Sequence, residues 1–293
     1  MNAESASSGD RYLASAGKAR SWRQRARQFL LLPLVAYATI IVVMALLENS
    51  LIFFPSVYPA GDWNPPWLKF EDAWFLAADG TKLHGWYVPH DEPRAVVLFA
   101  HGNAGNLSDR ADVVAELVER LHATVLIFDY RGYGRSEGKP SEAGVLLDAR
   151  AARDWLARRA SIEPKQIVLW GESLGGAVMV DVAAHDGARG LVLESTFSSL
   201  PDVAAYHYRW LPIRLLMRSQ LNAAANIGAY HGPLLQIHGD FDRIIPIELG
   251  RRLFDAANEP KQFVVIPGGD HNDPRRAIFF RAFDQFVSEL PPP

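Results

Sequence analysis

The stretch VLWGESLGGAVMV, residues 168–180, places a serine between glycines where one apolar pattern ends and another begins. The residues before the first glycine are continuously apolar, which is typical of a buried strand, and those after the serine are typical of a helix. Residues 171–175 match G-x-S-x-G, the pattern of a sharp strand-to-helix turn that exposes a reactive serine. The match alone also occurs in ordinary loops, but between a strand and a helix it predicts Ser173 as a nucleophile.

A serine hydroxyl needs a base to remove its proton and an acidic group to orient that base. Both are expected on loops that follow later strands. HGDFDRIIP, residues 238–246, follows one predicted strand and carries Asp240 and Asp242. GGDHNDP, residues 268–274, follows the last predicted strand and carries His271. The sequence thus supplies a base and two candidate acids after the serine, in the chain order Ser, Asp, His.

Outward from the serine, continuously apolar strands alternate with amphipathic helices. This alternation predicts an α/β fold with a mostly parallel sheet of about eight strands, flanked by helices on both faces. Ser108 is predicted to cap the first of these helices. Strands are predicted at 72–89 (a hairpin around Asp79-Gly80), 94–102, 124–130, 166–171, 189–195, 233–239 and 262–268. Helices are predicted at 108–123, 141–160, 174–185, 247–258 and 274–290.

Residues 197–231 interrupt the alternation and predict a small helical cap inserted into the domain. In a sheet of this kind such an insertion often serves as a lid over the site. Its apolar residues, which include Trp210 and Leu215, are explained equally well by packing against the domain or by contact with a substrate or membrane.

The N-terminal part predicts attachment to a membrane. Residues 29–47 contain no charged residue, and a helix of this length spans about 28 Å, close to the hydrocarbon core of a bilayer. A cleaved signal peptide is the alternative, but its apolar region is usually only about 7–15 residues and no A-x-A site follows here. We therefore predict a transmembrane signal anchor at 29–47, a mobile basic segment at 1–28 and a linker at 48–71.

The distribution of charge predicts the orientation of that anchor. Residues 1–28 carry six basic and two acidic residues, a net charge of +4. Residues 48–72 carry one basic and four acidic residues, a net charge of −3. Since an excess of Lys and Arg stays on the cytoplasmic side, the N-terminus is predicted to be cytoplasmic. The domain at 72–293 is then expected on the exported side, which is periplasmic, lumenal or extracellular.

Composition excludes several classes of function. The 293 residues include no cysteine, so no disulfide, thiolate nucleophile or cysteine-based metal site forms. A net charge of −3 gives no reason to expect nucleic acid as a partner. No G-x-G-x-x-G follows the first parallel strand and no Walker sequence occurs, so no cofactor is predicted. The histidines show no metal-ligand spacing, so no metal site is predicted either.

Five motifs in order carry a resemblance to a known family. They are HGNAGN (101–106), DYRGYGRSEGKPSE (129–142), GESLGG (171–176), HGDFDRIIP (238–246) and GGDHND (268–273). From about residue 72 to 290 the chain resembles the α/β-hydrolase superfamily. More narrowly, it resembles the membrane-anchored serine hydrolases of the bud-emergence type, whose relatives include protein depalmitoylases. ENSLIFFPS (48–56) is similar to the segment that follows the anchor in that group.

The resemblance implies a role for each site residue. Ser173 is the nucleophile and His271 the general base, while Asp242 takes the acid position because the family pattern H-G-x-x-D is counted from residue 238. Asp240 is then left to shape the turn. The main-chain N–H of Leu174, directly after the nucleophile, is expected to bind the oxyanion. The resemblance points to the N–H of Asn103 as the second donor.

The implied function is a membrane-anchored serine hydrolase that cleaves acyl esters or thioesters through an acyl-enzyme. Its substrate is expected to be an ester or thioester, and tethering to the membrane favours a lipid or a lipidated molecule. A serine peptidase or amidase of the same fold uses the same triad and stays open as an alternative. A non-catalytic membrane scaffold is disfavoured, because such a protein is expected to have lost part of the triad or the elbow.

Overall fold

The computed structural model describes residues 22–291, in two compact units that divide between Leu46 and Leu47. The first unit contains helix α1, Trp22–Leu46. Among the described residues, no helix is both long enough and apolar enough to cross a membrane. The membrane span predicted at 29–47 is therefore not confirmed. Most of the predicted basic segment, residues 1–21, lies outside the described residues.

The second unit is built on one large sheet. Eight of its strands pair in the order β10-β9-β8-β7-β4-β6-β3-β2, and all neighbours are parallel except β2–β3 and β3–β6. The strands, in chain order, are β1 Phe54–Pro55, β2 Glu71–Leu76, β3 Lys82–Val88, β4 Ala95–Ala100, β5 Ala104–Gly105, β6 Ala123–Phe128, β7 Val168–Glu172, β8 Gly190–Glu194, β9 Leu234–Gly239 and β10 Lys261–Ile266.

Helices cover both faces of this sheet. Alternate side chains of β4 point to opposite faces, so Val97 and Phe99 join one core while Leu98 and Ala100 join the other. The first face packs against α3 and α10, and the second against α4, α5 and α9. The helices that follow α1 are α2 Glu48–Ile52, α3 Ala111–Leu121, α4 Glu142–Ala160, α5 Leu174–Asp186, α6 Leu200–His207, α7 Ile213–Leu216, α8 Ala223–Asn226, α9 Ile247–Ala256 and α10 Ala277–Glu289.

The predicted α/β architecture with a mostly parallel sheet is confirmed. The predicted helix cap at Ser108 is wrong. A short 3₁₀ helix, Leu107–Arg110, precedes α3, and Asn106 caps it by accepting the N–H of Ser108. The side chain of Asp109 in turn accepts the main-chain N–H of Asn106. Because Asn106 completes a capping box two residues earlier, Ser108 lies inside the helical turn instead of before it.

The insertion between β8 and β9 forms the small helical cap. It consists of the short helices α6, α7 and α8, followed by a 3₁₀ turn at Ile227–Ala229. Two carboxylates hold residues 218–221, which lie between α7 and α8. Glu48 accepts the main-chain N–H groups of 218 and 219, at 2.9 and 2.7 Å. Glu142 accepts those of 220 and 221, at 2.7 and 2.8 Å. Four consecutive N–H groups are thus bound by charged acceptors, which make stronger hydrogen bonds than neutral ones.

The predicted linker, residues 48–71, lies in the same compact unit as the sheet. They contain α2 and β1, and the side chains of Ile52 and Phe53 are buried in the core. Strand β1 pairs in parallel with β5 in a separate two-stranded sheet. This part of the chain therefore contacts the loop that follows β4.

Loops at one edge of the large sheet carry the sequence-predicted site residues. Strands β4, β7, β9 and β10 are parallel, so their carboxyl ends meet at the same edge. In open α/β sheets, ligands bind outside this edge. The loops after these four strands carry Asn103, Ser173, Asp242 and His271, respectively.

Candidate active site

Ser173 lies in the turn between β7 and α5, with φ 52° and ψ −114°. A positive φ strains any residue that carries a side chain. Small neighbours make the turn sterically possible. A Cβ on Gly171 would lie 2.4 Å from the main chain of 175–176, and a Cβ on Gly175 would lie 2.1 Å from the carbonyl oxygen of Ala100. The two glycines of G-x-S-x-G are thus required by close main-chain contacts on either side of the serine.

A continuous chain of hydrogen bonds joins Ser173, His271 and Asp242. The Nε2 atom of His271 lies 3.1 Å from the Oγ of Ser173, and its Nδ1 lies 2.7 Å from the Oδ2 of Asp242. A carboxylate only accepts, so Nδ1 carries the proton and Nε2 is left to accept the serine hydroxyl. This is the arrangement that activates a serine hydroxyl for nucleophilic attack.

The surroundings of Asp242 keep it ionised and oriented. Its Oδ1 accepts the main-chain N–H groups of Ile244 and Ile245, at 3.0 and 2.7 Å. Burial by itself would raise the pKa of Asp242. Hydrogen bonds from His238 and His271, the charge of His271 and the N–H of Ile245 outweigh burial, so the pKa lies well below its ordinary value. The carboxylate is therefore charged throughout the neutral range.

Two neighbouring aspartates do not contact the imidazole ring. Asp240 is exposed, and its Oδ1 accepts the N–H of Gly268 at 2.6 Å, as expected of a residue that shapes the turn. Asp270 accepts the main-chain N–H of His271 at 2.8 Å and also binds Arg243. The hydrogen bond from Arg243 lowers the pKa of Asp270 to about 2. Asp270 thus fixes the main chain that carries the histidine, a role that the sequence analysis missed.

Both residues predicted to bind the oxyanion lie beside Ser173. Leu174 is the first residue of α5, where the main-chain N–H has no acceptor within the helix. Asn103 lies in the loop after β4, and its carbonyl oxygen accepts the hydroxyl of Tyr133 at 2.7 Å. Both residues line the same cavity as Ser173 and His271. Both residues therefore border the place where an oxyanion would form on Ser173.

The cavity has a volume of about 320 Å³ and two unlike walls. The cap contributes an apolar wall through Phe197, Leu200 and Val203. Arg110 and Glu172 contribute a charged wall on the side of the elbow. This size and mixed lining are those of a small-molecule site, with apolar surface for binding and a few polar groups for orientation.

A network of half-buried charges supports the elbow. Glu172, the residue before the nucleophile, binds Arg110 and Arg275, each at 2.7 Å. Arg275 also binds Glu194 at the end of β8, at 2.8 Å. These partners lie 62 to 103 residues apart in sequence. The network is not predictable from the sequence, since its only local signal is the charged residue inside G-x-S-x-G.

The two carboxylates of this network differ in acidity. Burial alone would raise the pKa of Glu172, but the charges of Arg275 and Arg110 and their hydrogen bonds hold it at about 2. Burial raises the pKa of Glu194, and its attraction to Arg275 only partly offsets that effect. Arg275 is therefore the cation on which both carboxylates depend.

Replacing Arg275 by glutamine is expected to lower the free energy of unfolding by about 3 kcal/mol, the lower end of the range for a buried pair, because it leaves two half-buried carboxylates without their shared cation. The loss should be greater near pH 8 than near pH 5. Without the arginine, the folded state favours a protonated Glu194, so stability falls as rising pH removes that proton. Urea unfolding at the two pH values measures the difference.

The control for this prediction is Arg94→Gln, which breaks an exposed pair with Asp284. It should cost less than about 1 kcal/mol at either pH. An Arg275→Gln protein as stable as the Arg94→Gln protein at both pH values would contradict the prediction.

Two further histidines support loops of the site. His101 and His238 are fully buried. His101 lies 3.4 Å from Asp129, and the Nε2 of His238 bonds the carbonyl oxygen of Ile245 at 2.8 Å, so both support loops of the site. Within residues 22–291, no group of three or more His, Asp or Glu side chains is placed to hold a metal ion.

Comparison with known proteins agrees with this fold. A sequence-family model described as the α/β hydrolase fold matches residues 95–222. The uncharacterized protein Rv2307c of Mycobacterium tuberculosis is 41% identical over 88% of this chain and 95% of its own length. The lysophosphatidylserine lipase ABHD12 of Danio rerio is 34% identical over 57% of this chain and 48% of its own length.

A solved structure shows the same architecture. The esterase Pf2001 of Pyrococcus furiosus superposes with a TM-score of 0.66, at 19% identity, over 82% of this chain and 98% of its own. At this identity the likeness shows the fold alone. The α/β hydrolase domain-containing protein WAV2 of Arabidopsis thaliana is 32% identical over 77% of this chain and 80% of its own length. With the family match, this relative shows that the chain belongs to the α/β hydrolase family.

Proposed function

We propose that this protein is a serine hydrolase that cleaves acyl esters or thioesters through an acyl-enzyme. The observation that carries the proposal is the unbroken chain of hydrogen bonds from Ser173 through His271 to Asp242, at 3.1 and 2.7 Å. Ser173, at one end of this series of hydrogen bonds, lines the cavity. The esterase and lipase names among the structural neighbours and relatives support the same class of reaction.

In the proposed reaction, His271 takes the proton of Ser173 as Oγ attacks the acyl carbonyl carbon. The N–H groups of Leu174 and Asn103 stabilise the negative charge that develops on the carbonyl oxygen, and one such donor contributes about 3–4 kcal/mol. His271 then gives its proton to the leaving alcohol or thiol. In the second half, His271 removes a proton from water as the water oxygen attacks the acyl carbonyl carbon. The bond from that carbon to Oγ then breaks, the acid leaves, and His271 returns the proton to Oγ of Ser173.

The lining of the cavity supports an amphiphilic substrate. The cap side chains Leu200 and Val203 provide an apolar surface for an acyl chain, and Arg110 provides charge near the reacting bond. Since the name of the zebrafish relative describes a lipase for a lysophospholipid, a single-chain lipid ester is the substrate class to examine first. A lipidated thioester meets the same requirements.

Covalent labelling with a fluorophosphonate tests the nucleophile. Trypsin cleavage after Lys165 and Arg189 yields peptide 166–189, in which Ser173 is the only hydroxyl side chain. The mass of this peptide therefore assigns the modified residue without fragmentation. We expect one label per chain, on this peptide. A folded protein that is labelled elsewhere, or not at all, would overturn the proposal and favour a non-catalytic scaffold.

A matched set of substrates separates the proposal from a peptidase or amidase of the same fold. An oxygen ester, a thioester and an anilide that share one acyl chain differ only in the leaving group. We expect kcat/KM for the ester or the thioester to exceed that for the anilide by about 100-fold or more, a difference of about 2.7 kcal/mol in activation free energy. A preference for the anilide would favour the amidase.

We also propose that residues 29–47 tether the enzyme to a membrane, with the catalytic unit on the exported side. The support is the uncharged run and the excess of basic residues before it. A reporter that is active on only one side of the membrane, fused after residue 293, measures the orientation. Activity of the reporter in the cytoplasm would refute the exported location. Recovery of the protein in the membrane-free fraction of lysed cells would refute the tether.

A further inference from the structure

The segment 48–56, which directly follows α1 in the chain, binds the side chain of Asn103. The Nδ2 atom of Asn103 donates a hydrogen bond to the carbonyl oxygen of Ile52. Its Oδ1 accepts the main-chain N–H of Phe54 at 3.4 Å. Both polar atoms of the side-chain amide are thus held by the main chain. Their partners, Ile52 and Phe54, precede Asn103 by 51 and 49 positions in the sequence.

The same segment pairs with the main chain of the loop that carries Asn103. In the parallel pair β1–β5, Phe54 lies opposite Ala104 and Pro55 opposite Gly105. The N–H of Ser56 extends the pairing by donating to the carbonyl oxygen of Gly105 at 3.0 Å. The loop after β4 is therefore held by a strand pairing outside the large sheet.

Tyr133 holds Asn103 from another direction. Its buried hydroxyl donates to the carbonyl oxygen of Asn103 at 2.7 Å and lies 3.1 Å from Oδ1. These contacts use the side chain and the carbonyl group of Asn103. None of them uses its main-chain N–H, the group proposed to bind the oxyanion. Fixing the other polar groups of this residue fixes the direction in which that N–H points.

The segment is itself held firmly enough to position a neighbour. Ile52 and Phe53 are buried in the core of the second unit. The side chain of Glu48 is 7% exposed and binds Arg218 in the cap. The side chain of Phe54 lines the cavity. One short stretch thus contacts the core, the cap and the loop that follows β4.

We propose that segment 48–56 is a part of the active site whose main chain, acting through Asn103, positions one oxyanion-binding donor. The inference rests on the proposed function, in which the N–H of Asn103 stabilises the oxyanion. Ile52, Phe54, Tyr133 and the amide of Asn103 are positioning groups, because they act on the reaction only through that N–H. Pre-set donors of this kind stabilise the transition state more than the bound substrate.

The central test is Asn103→Ala, which keeps the main-chain N–H but removes the amide that fixes it. With a p-nitrophenyl ester, kcat should fall about 10-fold or more while KM changes less than about twofold. A trifluoromethyl ketone analogue, which forms an oxyanion on Ser173, should lose about as much affinity as kcat loses. The carboxylic acid product, which forms no such adduct, should bind as it does to the wild type.

The matched control is Asn258→Ala. Asn258 is half-buried, and its Nδ2 also holds two main-chain carbonyl groups, those of Gly228 and Tyr230, at 2.7 and 2.8 Å. It lies outside the set of residues that line the cavity. Its replacement should lower the unfolding temperature about as much as Asn103→Ala does, with kcat and the affinity for the ketone unchanged. This control separates a loss of positioning from a general loss of stability.

A second pair of variants tests the segment itself. Phe54→Ala removes the side chain but keeps the N–H that binds Asn103, whereas Phe54→Pro removes both. Residue 53 is already extended, at φ −101° and ψ 126°, so a following proline is sterically acceptable. We expect kcat and the affinity for the ketone to be lower in Phe54→Pro than in Phe54→Ala by about threefold or more, or about 0.7 kcal/mol, in line with one neutral hydrogen bond.

The outcomes distinguish the two proposals. If the wild type hydrolyses no ester or thioester and takes no label at Ser173, the proposed function fails and this inference fails with it. If the wild type is active but Asn103→Ala keeps full kcat, only the inference fails. It also fails if Asn103→Ala weakens the ketone and the acid product equally, or if Phe54→Pro and Phe54→Ala do not differ.

Discussion

Replacing Ser173 by alanine is expected to lower kcat by about 10⁶-fold, to the level left by the rest of the site. The reason is geometric. The hydroxyl of Ser173 is the group 3.1 Å from the free nitrogen of His271, and the strained turn directs it into the cavity. Without it no acyl-enzyme forms, and only binding and oxyanion stabilisation are left. Initial rates with the ester substrate and the loss of fluorophosphonate labelling both measure the effect.

Ser195→Ala provides the matched control for this prediction. Ser195 follows the neighbouring strand β8, is 9% exposed and also has a positive φ, of 47°. It is not one of the residues that line the cavity. Its replacement should leave both the rate and the labelling close to those of the wild type. If Ser173→Ala retained more than about a thousandth of the activity, the assignment of the nucleophile would be wrong.

The second large effect is expected for Asp242→Asn, which should lower kcat by about 10⁴-fold. The carboxylate accepts the Nδ1 proton of His271 at 2.7 Å and so keeps the proton off Nε2. An amide at this position can donate to Nδ1 and thereby move the ring proton to Nε2. The imidazole then no longer accepts the hydroxyl proton of Ser173. Steady-state kinetics with the ester substrate measure the loss.

Asp240→Asn is the control, because Asp240 lies two residues earlier but bonds Gly268 instead of the imidazole. It should leave kcat within about threefold of the wild type, the scale of one exposed hydrogen bond. Equal losses in the two variants would show that the loop as a whole, rather than Asp242, supports the histidine.

The acidity of Asp242 adds a pH dependence of stability. Its pKa in the folded state is below the ordinary value, so its interactions contribute stability above the unfolded value of about 3.9. That contribution is lost as pH falls toward the lower pKa of the folded state. The difference in free energy of unfolding between the wild type and Asp242→Asn should therefore shrink below about pH 4.

Local patterns were sufficient to predict the framework of the site. The strand, the turn and the helix around Ser173 are adjacent in sequence, and the need for small residues at 171 and 175 appears as G-x-S-x-G. The carboxyl ends of parallel strands meet at one edge, so polar residues placed after successive strands are brought together. This is why Asp242 and His271 were predicted to lie beside the serine.

Features that depend on distant partners were not predicted. The ion pairs of Glu172 join residues as far apart as 103 positions, and the bonds from Glu48 to the cap join residues 170 positions apart. No periodicity or spacing records such pairs. The aromatic, Pro-rich composition after residue 49 predicted a linker, because a two-residue strand such as β1 has no sequence pattern of its own.

The sequence by itself determined the α/β fold, the position of the elbow and the order of the candidate triad. Each is encoded by residues that are neighbours in sequence or by the regular alternation of buried strands with helices. Only the tertiary structure decided the hydrogen-bond distances within the candidate triad, the charges that surround Glu172 and the groups that hold Asn103. Those contacts depend on where separate loops meet at the edge of the sheet. The positions of those loops depend on how the whole unit packs, because protein interiors are close-packed.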